Sequence, residues 1–214
     1  MPLATWITFL FVSLAATFSP GPGVLLAIST SVTLGARRTL YSSAGNALGV
    51  FIVATVAITG LGLLLQTSTM AFSVLKIIGA GYLIYLGVRQ WRSKAAAAQP
   101  KTTTAIASTR SKVFLHGLLV ALTNPKAILF FTAIFPQFIQ TSHPDPVRFL
   151  LLTSTFVVCV VTSHLFYITL ATRMGSSIIG TNGMMGTTRM RYLNRASGLI
   201  FIGLGCAVLT ITSH

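Results

Sequence analysis

One acidic residue, Asp145, stands against 15 lysines and arginines in 214 residues, and charged side chains of both signs make up 7% of the chain. Soluble domains carry about a quarter, so this scarcity excludes an ordinary water-soluble fold. With no carboxylate inside an apolar run there is no acid pair for hydrolysis and no counter-charge for a cationic ligand held in a membrane. Cysteine is scarce too. Cys159 and Cys206 both lie in apolar runs without CxxC spacing, which argues against a disulfide framework, a metal site and thiol redox chemistry. Neither a GxxxxGKS/T loop nor an HExxH pair occurs, so phosphate-loop ATP hydrolysis and zinc peptidase chemistry are not encoded. Serine with His164 lacks the spacing of a protease dyad.

What the chain has is apolar length. Hydrophobic residues make up 53% and the mean hydropathy is +0.83. Apolar runs cover Trp6 to Leu34, Tyr41 to Gln66, Met70 to Arg89, Val113 to Ile139, Val147 to Thr172 and Asn194 to Thr212. A crossing takes about 20 residues, so the expectation is an all-α integral membrane protein of six spans. The first run begins almost at Met1 without a basic leader and reads as a retained span, not a cleaved signal. Twelve of the 15 basic residues fall in three alternate gaps: Arg37 and Arg38; Arg89, Arg92, Lys94, Lys101, Arg110 and Lys112; Arg173, Arg189, Arg191 and Arg195. The positive-inside bias makes those gaps cytoplasmic and both termini periplasmic. The net charge of +14 then meets anionic lipid headgroups, and nucleic acid is not an expected partner.

Residues 93–112, rich in Ala, Thr, Ser and Lys with Pro100, read as a cytoplasmic linker. It separates a first three-helix repeat, 1–92, from a second, 113–214. Ser19-Pro20 has a counterpart in Asn124-Pro125, and Lys76 with Gly79 has one in Arg195 with Gly198. Because each half crosses three times, a duplicated half is inverted relative to its partner.

Spans 1 and 4 each carry proline in mid-run. In Ser19-Pro20-Gly21-Pro22-Gly23 two donors are missing and two glycines allow unwinding, so span 1 splits into half-helices. Pro22 suits the first position of the second half and leaves the N–H groups of Gly23, Val24 and Leu25 open. In span 4, Asn124 suits a cap, Pro125 a helix start, and Lys126 adds positive charge. Two half-helix N-termini facing one cavity fit a carboxylate, and carbonyls freed at Thr17, Phe18, Ala121 and Leu122 fit an ammonium, so the expected ligand is a zwitterion. Simple kinking is the alternative for these prolines, and snorkelling for Lys126. Asn46, between Gly45 and Gly49 of a small-residue seam, either lines the cavity or bonds across helices. His164 is the clearest intramembrane histidine; it is a packing residue or a proton-coupling candidate. His116 and His143 are weaker candidates. No cofactor or metal is expected.

The Ser19–Gly23 motif with Gly35-Ala36-Arg37-Arg38, the helix-3 run from Lys76 through Tyr82, Tyr85 and Gly87, and Asn124-Pro125-Lys126 together resemble the LysE/RhtB amino-acid exporters along essentially the whole chain. The resemblance implies a six-helix transporter of the bacterial inner membrane, not an enzyme, that exports amino acids on the proton gradient and allows a homodimer. Many members carry an acidic residue in or near the membrane. Here only Asp145 exists, which turns the expectation toward small neutral substrates such as homoserine, threonine or leucine. A membrane scaffold or redox-type carrier with broken helices is the alternative, and it requires the cysteines at the breaks.

Overall fold

The computed structural model describes residues 1–67, 69–92, 109–139 and 145–174 and, between 192 and 209, separate residues that are all helical. In chain order the helices are α1 (Leu3–Phe18), α2 (Pro22–Leu34), α3 (Ala36–Thr67), α4 (Thr69–Arg92), α5 (Arg110–Leu122), α6 (Pro125–Leu129) and α7 (Pro146–Met174). A π turn over Phe130–Ile134 and a 3-10 turn over Phe135–Gln137 prolong α6. There is no strand among the described residues. The expected linker at 93–112 lies outside them as far as 108, as do His143, Arg189, Arg191 and most of the sixth apolar run.

Two apolar runs are broken into bent pairs. α1 and α2 meet at 52°, and α5 meets the helical segment Pro125–Gln137 at 47°. α3 over Ala36–Gly60 and α7 over Pro146–Arg173 are long and apolar enough to cross a bilayer, and each bent pair qualifies as one more crossing if counted as a single span.

Local chemistry moves two boundaries from their expected places. Gly35 takes φ 82°, a left-handed conformation that penalises any Cβ; it ends α2 and lets α3 begin at Ala36. Arg37 and Arg38 therefore lie on the first turn of α3 and not in a loop. Beyond Phe130, the helix is not regular α. Pro136 cannot donate to the carbonyl four residues back, so the chain widens into the π turn and then tightens, with the Phe138 and Ile139 amides donating to the carbonyls of Phe135 and Pro136 at 3.0 and 3.3 Å.

The helices assemble as two parallel pairs. On α7, Thr155 accepts from Trp6 Nε1 at 3.1 Å, Ser163 donates to the Thr17 carbonyl at 2.8 Å and Tyr167 to the Phe18 carbonyl at 2.7 Å; residue numbers rise together, so α1 and α7 run the same way. α3 and α5 likewise run parallel, backbone against backbone. A Cβ on Gly45 would run into the Phe114 carbonyl, one on Gly117 into the Ser42 carbonyl, and one on Gly49 would come within 2.6 Å of the Ala121 Cβ. The same device joins α4 to the C-terminal helical residues, where a Cβ on Gly87 would lie 2.6 Å from the Gly198 carbonyl oxygen.

Aromatic rings fill the space between the pairs. Phe9, Phe130, Phe131, Phe135 and Phe156 are all buried, with ring centroids 4.3 Å apart for Phe130 and Phe156 and edge-to-face contacts from Phe9 to Phe130 and Phe135. Outward faces are apolar as well: Phe11, Val56 and Val158 are 67%, 64% and 62% exposed, a surface that water does not favour.

Candidate functional site

At the first break, α1 ends because Pro20 and Pro22 supply no N–H to the carbonyls of Ala16 and Phe18. The last α1 bond is Ser19 N–H to the Ala15 carbonyl at 3.3 Å. Pro22 is the first residue of α2, as its fixed φ favours. The expected set of open amides shrinks by one, since Leu25 N–H donates to the Gly21 carbonyl at 2.9 Å; those of Gly23 and Val24 have no helical partner in this first turn. The glycines serve differently from the sequence expectation. Gly21 is extended, at φ −144° and ψ −177°, which any residue can adopt. Gly23 lies inside α2, and a Cβ there would come within 3.2 Å of Asn46 Nδ2 and 3.3 Å of His164 Nε2, so close approach is what it provides.

At the second break, Asn124 caps α6, its Oδ1 accepting from Lys126 N–H at 3.1 Å, with Pro125 at the first helical position. This cap brings the Lys126 side chain back across the first break. Its Nζ donates to the Ser19 carbonyl at 2.7 Å and lies 5.2 Å from the Phe201 ring centroid. Lys126 thus turns inward to the other break and does not snorkel.

The freed carbonyls are mostly engaged. Those of Thr17 and Phe18 accept the hydroxyls of Ser163 and Tyr167, and that of Ala121 accepts Asn124 N–H at 3.2 Å. The carbonyls of Thr17, Phe18 and Ala121, expected to face a ligand ammonium, thus each already accept one donor of the protein's own and keep one lone pair for a further donor.

Between the breaks lies a cavity of about 50 Å³. Ser19, Gly21, Gly23, Asn46, Asn124, Lys126 and His164 line its polar side, and Ala127, Phe130, Phe156 and Val160 its apolar side. Pro20, Pro22 and Pro125 shape the breaks without lining it. Asn46 does both things foreseen for it, lining the cavity while its Nδ2 donates to the Gly117 carbonyl at 3.4 Å. His164 is buried, its Nδ1 3.2 Å from Ser43 Oγ, and its Nε2 is the nitrogen beside Gly23. No carboxylate lines the cavity. Asp145 instead caps α7, its Oδ1 accepting from the amides of Val147 and Arg148 at 3.0 and 3.1 Å.

Sequence reasoning missed Ser43, Ser163, Tyr167, Phe130 and Phe156. Ser163 and Tyr167 stand four apart on one helix face, a polar pair in an apolar run, and that spacing was the available signal.

A helical chain with two proline-broken helices around one small, carboxylate-free polar cavity has the build of a membrane-embedded solute carrier. Residues 14–212 match the family described as LysE type translocator. The homoserine/homoserine lactone efflux protein of Salmonella typhimurium is 37% identical over the whole of both chains. An uncharacterized membrane protein of Vibrio cholerae is 32% identical over 98% of each chain, and the leucine efflux protein of Salmonella choleraesuis 28% identical over 96% of this chain and 95% of its own. No solved structure matches. The chain belongs to the LysE type translocator family; it is a membrane transporter of the amino-acid efflux class and not an enzyme.

Proposed function

We propose that this chain is a secondary exporter of small neutral amino acids, of the homoserine, threonine or leucine kind, in the bacterial inner membrane. The observation that carries this reading is the convergence of two half-helix starts, at Pro22 and Pro125, with Lys126 on one cavity. Open amides and an ammonium receive the α-carboxylate that all amino acids share. Phe130, Phe156 and Val160 offer an apolar wall to the side chain. A cationic side chain finds no counter-charge there, and an unpaired charge in such a place costs several kcal/mol or more.

Six spans arranged as two inverted three-helix repeats, 1–92 and 113–214, account for the parallel pairs: spans 1 and 5 share one direction and spans 2 and 4 share the other. The Arg110 guanidinium lies 5.5 Å from the Tyr41 ring centroid, which supports placing the basic starts of α3 and α5 at one cytoplasmic end, with both termini periplasmic. The exposed apolar faces suit lipid and allow a homodimer. Export runs on the proton gradient, with His164 as the coupling candidate because it is buried at the α2 start beside the cavity. The scaffold or redox-type carrier has no observation in its favour: Cys159 is buried, Cys206 exposed, and neither lines the cavity.

The test is radiolabelled efflux from loaded cells across a panel of amino acids. A neutral amino acid leaves faster than in vector controls, an uncoupler stops it, and lysine leaves slowly. Lys126→Ala lowers the initial rate about tenfold at equal membrane abundance, the scale of one lost charge-assisted contact. Absence of efflux above vector for every amino acid sinks the reading.

A further inference from the structure

Three consecutive carbonyls stand at the end of α1, and they are capped by two kinds of donor. Thr17 and Phe18 receive neutral hydroxyls from α7, at 2.8 and 2.7 Å. Ser19 receives a primary ammonium, Lys126 Nζ, at 2.7 Å. A second observation falls on the same residue. Ser19 is fully buried, lines the cavity, and its Oγ has no hydrogen-bond partner, a condition that buried hydroxyls rarely tolerate. One residue thus offers a carbonyl oxygen already selected for an ammonium and a hydroxyl oxygen still in need of a donor. An α-ammonium carries three N–H groups and satisfies both.

We propose that Ser19 is the recognition residue for the substrate's α-ammonium, and that Lys126 holds its carbonyl as a tethered stand-in until substrate arrives. This rests on the amino-acid exporter reading and refines it. When the zwitterion enters, its ammonium takes the Ser19 carbonyl and hydroxyl, and Lys126 Nζ moves to its carboxylate. The move is short, because the Lys126 ammonium already lies 3.6 Å from where a Cβ would stand on Gly21, the N-cap residue of α2. The exchange improves the pairing of Lys126: in the resting cavity its ammonium has only a neutral carbonyl, and on exchange it gains a carboxylate. A ligand with an ammonium but no carboxylate cannot make this exchange, since it would displace Lys126 and offer it nothing. The cavity therefore requires both ends of an amino acid together. His164, the other ionisable side chain on the cavity wall, lies beside Gly23 with its Nδ1 3.2 Å from Ser43 Oγ and takes no part in the exchange.

The experiment is calorimetric binding to the full chain in lipid nanodiscs. The probes are L-leucine, isopentylamine (leucine without its carboxylate) and isocaproate (leucine without its ammonium). If L-homoserine binds wild type more tightly than leucine, it is used with aminopropanol and hydroxybutyrate instead. Wild type binds the amino acid and discriminates against the amine. In Lys126→Met the amine binds about tenfold more tightly than in wild type, because the Ser19 carbonyl is free, while the amino acid binds more weakly. In Ser19→Ala the amino acid weakens about fivefold and the deaminated acid is unchanged. Amine affinity equal in wild type and a folded Lys126→Met overturns the proposal. So does Ser19→Ala weakening the amino acid and the deaminated acid alike, a result that needs no Lys126 variant. Either pattern in the variants of a chain that exports amino acids refutes this inference and leaves the exporter reading standing; wild type that neither binds nor exports any amino acid refutes the exporter reading and this inference with it.

Discussion

Tyr167 shows how much of the first break is held from outside its own segment. Its hydroxyl donates to the Phe18 carbonyl, a group that Pro22 leaves without an amide donor. Tyr167→Phe keeps the ring, which packs near Phe18 and Phe166, and removes only that bond. The expected cost is about 1 kcal/mol, since hydrogen bonds between membrane helices average somewhat less than this and a stranded carbonyl adds to it. Thermal unfolding in detergent reads it directly, and a melting temperature equal to wild type contradicts the assignment. The sequence made the helix start at Pro22 and the cap at Asn124 legible because both act within four residues of themselves. It did not reveal Ser163 or Tyr167 as partners of the break, because those bonds join residues 146 and 149 positions apart, a relation that no local spacing encodes.

Among the elements, α3 and α5 depend on the absence of side chains. Gly45 and Gly117 sit where a Cβ would enter a facing backbone carbonyl, so the helices approach more closely than any larger residue allows. Gly45→Ala forces the pair apart and is expected to cost about 1–3 kcal/mol. Gly81→Ala on α4, where nothing lies within 4 Å, stays within about 0.5 kcal/mol of wild type. Denaturant titration of both variants makes the comparison, and equal loss in the two removes the close-packing argument. The Gly45 and Gly49 spacing announced a seam, but not its partner, since any small-residue face elsewhere in the chain fits equally well. The π turn after Phe130 was likewise hidden. A sequence shows that Pro136 lacks a donor, not how the preceding turn reroutes its bonds.

For the molecule as a whole, the distribution of arginine and lysine makes the proposed orientation testable. The proposed orientation, drawn from twelve basic residues in or beside alternate gaps between apolar runs, predicts a periplasmic C-terminus: a fusion at His214 is expected to be active with a periplasmic reporter and silent with a cytoplasmic one. The opposite pattern inverts both mouths of the cavity. The cavity itself sets a mechanical requirement. At about 50 Å³ it is roughly a third of an apolar cavity that accepts benzene, too small for leucine as it stands. α1 is bonded to α7, and α3 is keyed to α5, so each pair is expected to move as one piece. Between those pieces, the cavity is bridged by the Lys126–Ser19 and His164–Ser43 hydrogen bonds. Releasing two such bonds costs about 3 kcal/mol, and parting the Phe9, Phe130 and Phe156 rings adds to it, so a widened form is on the order of one per cent of molecules at most. On the proposed function, these two bonds and the rings around them act as a latch that holds the unladen carrier shut against leakage nearly all of the time.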